Sequence, residues 1–281
     1  MQELQWLEAL LGAGVGLLIG SFLNVVIYRM PKIMERQWAA ECAEFSGESQ
    51  AVEAPQFNLV VPRSACQKCG HQIRWYENIP ILSYAFLRGK CSSCGTPISF
   101  RYPMVEFTTG LLFFFCIWRW GITPTGIAWC AFSAVILALA MIDWDTTFLP
   151  DDMTLPLLWA GLIVAALKWS PVALEDAVWG ATGGYLSLWL VYWAFKLLTG
   201  KEGMGYGDFK LFAALGAWFG WQALVPIILM ASVIGAIIGI AMKFASNLRE
   251  GGYVPFGPFL AGAGLTAMVF GPQSILRAVG L

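Results

Sequence analysis

Runs of residues without any charge recur along the chain and predict helices that cross a membrane. A transmembrane helix needs about 20 mainly apolar residues, because the hydrocarbon core of a bilayer is about 30 Å thick. The run 211–242 would be about 48 Å long as a single helix at about 1.5 Å per residue, so we divide it near 219–222. Eight spans are then expected, from the runs 9–28, 103–118 (interrupted by Glu106), 120–142, 153–167, 177–195, 211–242 and 251–276.

Composition and charge agree with a bilayer environment and define its two sides. Only 12% of the residues are charged and 58% are hydrophobic, whereas soluble domains carry about 25% charged residues. If residues 29–102 face the cytoplasm, every Lys and Arg except Arg119, Lys168 and Arg277 lies on the cytoplasmic side. This asymmetry follows the positive-inside rule, and it predicts that both termini lie outside the cytoplasm.

The fold predicted from these patterns is an all-α polytopic membrane protein with one small insertion. Residues 1–28 are expected to form the first transmembrane helix, residues 29–102 a cytoplasmic insertion, and residues 103–281 a multi-helix membrane domain. Gly20 permits close helix packing within the first span, and the polar residue Asn24 is expected to face other helices.

Two cysteine pairs in the insertion have the spacing of a metal site. Each pair follows a C-x-x-C-G pattern, in which two thiolates can bind one ion and the glycine lets the loop fold back. Disulfides or unrelated thiols are the alternatives, and a cytosolic location argues against disulfides. Four sulfur ligands leave no position open for water, so we predict a structural Zn²⁺ site, formed by Cys66, Cys69, Cys91 and Cys94.

Carboxylates are the best candidates for the catalytic groups. His71 is the only histidine, which excludes an H-E-x-x-H metalloprotease and disfavours a serine–histidine mechanism; we expect it in an exposed loop. Acidic residues at membrane depth tend to mark function, and two junctions on the same side of the membrane concentrate them. One junction contains Asp143 and Asp145, and the other contains Asp208. Asp151 and Asp152 are expected to cap the helix that follows.

A pair of carboxyl groups can activate water for peptide hydrolysis. Repulsion between close like charges leaves one group neutral and the other ionised. The ionised group takes a proton from water while the neutral group polarises the peptide carbonyl. Asp143 projects nearer the bilayer than Asp145, which remains a competitor. Gly205 and Gly207 allow unusual backbone angles and close approach of an extended substrate beside Asp208, whose alternative role is an N-cap.

In combination these features resemble the bacterial type IV prepilin peptidases over nearly the whole chain. The resemblance is carried by both cysteine pairs, the Asp143 junction, the G-x-G-D loop at Asp208, Gly20 to Pro31, Asn78-Ile79-Pro80, Arg101-Tyr102-Pro103 and Pro255-Phe256-Gly257-Pro258. It implies that Asp143 and Asp208 are the catalytic pair of an aspartic endopeptidase in the bacterial inner membrane. It also implies that prepilins and pseudopilins of type IV pilus and type II secretion systems lose their leaders at its cytoplasmic face.

The resemblance implies a second activity as well. Members with two cysteine pairs typically N-methylate the new N-terminal residue of the substrate, with S-adenosylmethionine as methyl donor. The sequence shows no recognisable methyl-donor fold, so the residues that bind the donor stay unassigned. Cys42 lies in an acidic segment, residues 35–56, and its role stays open, as does the oligomeric state. No nucleic acid partner is expected.

Two other functions fit parts of the pattern. A membrane transporter or channel with a zinc domain would relay ions or protons through intramembrane carboxylates. Such carboxylates would be spread through the bilayer depth, whereas here they cluster at one surface. An inactive assembly scaffold is disfavoured because both motif aspartates are present.

Overall fold

The computed structural model describes residues 2–47, 56–244 and 254–279, and these residues contain helices but no strand. The start of the last predicted span (251–253) and part of the acidic segment near Cys42 (48–55) lie outside the described residues. Ten α-helices lie within them: α1 (Gln2–Phe45), α2 (Leu82–Phe86), α3 (Arg101–Trp120), α4 (Pro124–Thr146), α5 (Asp151–Ala166), α6 (Leu174–Thr199), α7 (Tyr206–Phe219), α8 (Leu224–Phe244), α9 (Gly257–Phe270) and α10 (Pro272–Val279).

Three helices in the described ranges are long and apolar enough to cross a membrane. They are Glu3–Phe45, Pro124–Thr146 and Trp221–Phe244. Gly257–Phe270 is a shorter apolar helix. The break expected near 219–222 is present, since α7 ends at Phe219 and Gly220 adopts a positive φ of 80° before α8 begins. The count of eight spans remains a prediction.

Helix α1 is longer than the first charge-free run. It continues from Gln2 through Pro31 to Phe45, well past the end of the run at residue 28. The residues after Pro31 include Glu, Arg, Gln and Ala, which are strong helix formers. The change from apolar to polar side chains therefore ends the hydrophobic stretch without ending the helix.

The chain folds as two compact units, 1–134 and 135–281, with the boundary inside α4. In the first unit, α1 and α3 pack closely through glycines of α1. A Cβ on Gly16 would lie 2.7 Å from the Cβ of Phe113, and one on Gly20 would lie 2.6 Å from the Cα of Glu106. Small residues at four-residue spacing let two helix backbones approach in this way, which confirms the packing role expected of Gly20.

Buried polar side chains tie the loop region of the first unit to its helices. Arg29 of α1 donates hydrogen bonds to the carbonyl oxygens of Asn58 (2.9 Å) and Pro62 (2.7 Å). On α3, the carboxylate of Glu106 accepts a 2.8 Å hydrogen bond from the backbone N–H of Ile81. Asn24 donates to the Tyr102 carbonyl oxygen, so it faces another helix as expected.

Helix α7 is the centre of the second unit. All residues from 208 to 218 except Lys210 are buried, and both α5 and α6 pack against this helix. Gly180 of α6 lies directly against Gly216 of α7, and a Cβ on Gly184 would lie 2.8 Å from the carbonyl oxygen of Phe212. Backbones this close leave α7 little freedom to shift, so the groups in its first turn are held in place.

Candidate functional site

Asp143 lies in the last turn of α4 and is buried, with 4% of its surface exposed. The helix ends just beyond it, where Thr147 adopts a positive φ of 57° and donates its N–H to the Asp143 carbonyl oxygen at 2.8 Å. Two positions further along, Asp145 is exposed. Only the first of these two carboxylates is thus enclosed by the protein.

Asp208 lies in the first turn of α7 and is also buried, with 8% of its surface exposed. The helix begins after Gly205, which is its N-cap and has extended backbone angles. The N-cap position is Gly205, so the alternative role of Asp208 as the N-cap residue is wrong. The buried carboxyl group of Asp208, three residues later, still contacts the backbone N–H of Gly205 at the start of the helix.

The glycines ahead of Asp208 have different steric requirements. Neither Gly205 nor Gly207 has a positive φ, so the unusual backbone angles that we expected are absent. A Cβ on Gly207 would lie 2.7 Å from the Cβ of Leu149, whereas one on Gly205 would be at an ordinary 3.8 Å from Oδ2 of Asp208. Space for Leu149 is therefore what makes glycine necessary at position 207.

The two aspartates belong to one buried site in the second unit. Their carboxyl groups are close enough for the charge of Asp143 to act on Asp208. Leu149 packs against Gly207, next to Asp208, and also against Gly257, next to Asp143, so it connects the surroundings of the two aspartates. Two adjacent carboxyl groups that are shielded from water favour a state in which they share one proton. This is the arrangement required to activate a water molecule.

Three features of this site were not predicted by the residue patterns. Gly257 begins α9 so close to Asp143 that a Cβ there would lie 2.6 Å from Oδ2. Lys210, two residues after Asp208, binds both carboxylate oxygens of Asp151 at 2.6 Å. The N-cap of α5 is Pro150, so the expectation that Asp151 and Asp152 cap this helix is wrong. The ion pair between Asp151 and Lys210 joins the first turn of α5 to the N-terminal part of α7.

The four cysteines predicted as ligands come together in the first unit. Their sulfur atoms all lie within 4.8 Å of one another, and those of Cys66 and Cys94 are 3.8 Å apart. A tetrahedral ion at about 2.3 Å from each sulfur places sulfur atoms about 3.8 Å apart. The cluster therefore has the size needed to hold a metal ion.

The two cysteine loops have matching backbone conformations. Gly70 and Gly95 both adopt positive φ angles, and each donates its N–H to the carbonyl oxygen of the first cysteine of its pair. The hydroxyl and backbone N–H of Thr96 lower the pKa of Cys94 to about 6. A ligand must lose its proton to bind a metal ion, so the contacts with Thr96 favour the thiolate form of Cys94.

His71 is not an exposed loop residue as predicted, because its side chain is only 26% exposed. Its Nε2 atom lies 3.3 Å from Oε2 of Glu77 and 3.3 Å from the Ser92 hydroxyl. Ser92 belongs to the second cysteine loop and His71 follows the first. The histidine thus connects the two loops and is not a member of the sulfur cluster.

Comparisons with known proteins agree along most of the chain. The family model of the bacterial peptidase A24 N-terminal domain matches residues 15–120, and that of the type IV leader peptidase family matches residues 130–240. Similar proteins carry the name prepilin leader peptidase/N-methyltransferase. One from Pseudomonas aeruginosa is 52% identical over 92% of this chain and 89% of its own length, and one from Aeromonas hydrophila is 50% identical over 98% and 94%. No solved structure matches the chain.

Proposed function

The chain belongs to the type IV leader peptidase family, and we propose that it removes the leader peptides of prepilins and pseudopilins and N-methylates the new N-terminal residue. The observation that carries the proposal is the burial of Asp143 and Asp208 in one site, at the end of α4 and the start of α7. The similar proteins named above are prepilin leader peptidases that are also N-methyltransferases, and they support both activities.

In the proposed mechanism Asp143 and Asp208 share a proton. The ionised carboxylate takes a proton from a water molecule as its oxygen attacks the carbonyl carbon of the scissile peptide. The neutral carboxyl group donates a hydrogen bond to the carbonyl oxygen, and the departing amine is then protonated within the pair. No covalent bond to the enzyme forms. The exposure of Asp145 supports Asp143 as the partner of Asp208.

We place this site at the cytoplasmic face of the bacterial inner membrane, in a chain that crosses the bilayer eight times. Support for this orientation comes from the basic residues, nearly all of which then lie on the cytoplasmic side. Three helices with the length and apolar character of spans support the membrane location. The transporter alternative is not favoured, because both family models match peptidase domains.

We assign Zn²⁺ to the four-cysteine cluster as a structural ion. Four thiolates at tetrahedral spacing suit Zn²⁺ and leave no coordination position open for water or substrate. A bound ion would join the two loops through Cys66, Cys69, Cys91 and Cys94. In a region with few buried apolar side chains, a metal of this kind supplies folding energy.

The test of the peptidase assignment is cleavage of a purified prepilin by Asp143→Asn and Asp208→Asn, with Asp145→Asn as the matched control. Each of the first two variants should lose about 10²–10⁴-fold in cleavage rate, the range typical of a lost general acid or base. Asp145→Asn should cleave normally. Mass spectrometry of the product, with and without S-adenosylmethionine, reports cleavage and N-methylation together. Full activity of either Asp143→Asn or Asp208→Asn would remove that residue from the mechanism.

A further inference from the structure

A cavity of about 850 Å³ lies beside the cysteine loops in the first unit, and neither motif aspartate lines it. Clefts and cavities of about 300–1,000 Å³ bind small ligands of drug size, and this one is half open to solvent. Its walls differ in character. One wall is polar and includes Arg74, Glu77 and Ser92, while the other is apolar and includes Leu82 and Phe86. The cavity therefore suits a ligand with a charged part and a flat apolar part.

The polar wall presents a carboxylate in a defined position. The side chain of Glu77 is only 9% exposed, and its Oε2 accepts the backbone N–H of Arg74 at 2.8 Å. His71, which also contacts the Ser92 hydroxyl, approaches the same oxygen at 3.3 Å. Beside it, the guanidinium of Arg74 donates a 2.5 Å hydrogen bond to the hydroxyl of Tyr76. An anion and a cation are thus oriented next to each other.

The apolar wall is held by a contact with helix α3. Ile81 has a positive φ of 59°, a conformation that is strained for a β-branched residue. Its N–H is hydrogen-bonded to the buried carboxylate of Glu106 on α3. The neighbouring side chains of Ile79 and Leu82 both line the cavity. Strain that surrounding structure maintains tends to occur at binding sites, where it keeps a surface formed in advance.

We propose that this cavity binds S-adenosylmethionine. The inference rests on the N-methylation proposed above, which needs this donor. The donor carries an amino acid end, a ribose diol, a flat adenine and a positively charged sulfonium. Arg74 can pair with its carboxylate, Glu77 can accept hydrogen bonds from its ammonium or ribose hydroxyls, and Phe86 and Leu82 can cover the adenine.

Methyl transfer to a peptide amine balances without a further reactant. The substrate's N-terminal ammonium first releases a proton to water. When bound, the donor supplies an electrophilic methyl group: the amine lone pair forms the new C–N bond, the C–S bond breaks, and its electrons stay on the sulfur as a thioether. The positive charge passes from sulfur to nitrogen. Glu77 contributes by binding and orienting the donor.

The experiment uses the full chain in detergent and measures binding of tritiated S-adenosylmethionine by equilibrium dialysis. Glu77→Gln removes the charge with little change in size, and Ser83→Trp fills the cavity from α2. Glu44→Gln, on the exposed end of α1, is the matched control. Both cavity variants should raise Kd at least tenfold, while the control binds as the wild type does. Metal content and leader cleavage are measured on the same samples and should not change.

Ultraviolet cross-linking of the donor to the wild-type protein gives a second measurement that needs no variant. A cross-link within residues 71–93 supports the proposal. Unchanged binding by Glu77→Gln, or a cross-link outside that range, overturns it. If the wild type methylates a prepilin while its cross-link lies elsewhere, N-methylation stands and only this site is wrong. A wild type that cleaves prepilin but neither binds the donor nor methylates would refute the N-methylation itself.

Discussion

Replacing Gly257 by alanine should impair peptide cleavage while preserving the fold. A Cβ at this position would lie 2.6 Å from Oδ2 and 3.1 Å from Cγ of Asp143. An ordinary contact of this kind begins at 3.4 Å, so the carboxylate must move by about 0.8 Å. Because a misplacement of about 1 Å can cost about 10²-fold in rate, we expect prepilin cleavage to fall between about 10-fold and 100-fold.

The assay compares initial cleavage rates of Gly257→Ala and Gly262→Ala with that of the wild type. Gly262 lies on the same helix, but a Cβ there would meet nothing within 4 Å. Gly262→Ala should therefore cleave within twofold of the wild type. The thermal unfolding midpoint of each variant should change by no more than about 4 °C, since a helical Gly-to-Ala change is worth about 1 kcal/mol. Normal cleavage by Gly257→Ala, or an equal loss in Gly262→Ala, would refute the reasoning.

The other predictions concern the first unit. Cys91→Ser should reduce bound zinc and lower the folded yield, because three sulfurs cannot complete the tetrahedral site. Bound zinc is measured by inductively coupled plasma mass spectrometry, with Cys42→Ser as the control. A full complement of metal in Cys91→Ser would contradict the assignment. Gly16→Ala should lower the unfolding midpoint, because its Cβ would meet Phe113 and the Thr109 carbonyl oxygen within 2.8 Å. Gly14→Ala should leave the unfolding midpoint unchanged, because a Cβ at position 14 would meet nothing within 4 Å. Equal midpoints for the two variants would show that α1 and α3 can move apart at little cost.

The residue patterns predicted those parts of the candidate sites that are marked by a short feature of the sequence itself. The four cysteines repeat a short spacing, and Asp143 and Asp208 each border a long charge-free run. Their burial could not be predicted in the same way. Nothing local distinguishes Asp143 from Asp145 except the two-residue offset, and the packing of the second unit decides that only one is enclosed.

The remaining parts depend on contacts between distant segments. Gly257 has no side chain to mark its role, and its importance arises only because α9 begins beside Asp143. Ile81 is disfavoured locally in its observed backbone conformation, which is held by the hydrogen bond to Glu106 on another helix. The length of α1 could have been predicted from its residues, since helix-forming side chains follow Pro31. The charge-free run ends at residue 28, before Arg29, and this marks the end of the apolar stretch but not the end of α1.

The unbroken length of α1 makes Cys42 useful as a reporter position. A helix of 44 residues is about 66 Å long at about 1.5 Å per residue, more than twice the thickness of the lipid core. Cys42 is exposed near its far end, while the remaining six cysteines are either buried or gathered in the sulfur cluster. A spin label attached to this thiol would move far when the helix tilts. Tilting of α1 on binding of a leader peptide could therefore be measured by pulsed electron paramagnetic resonance.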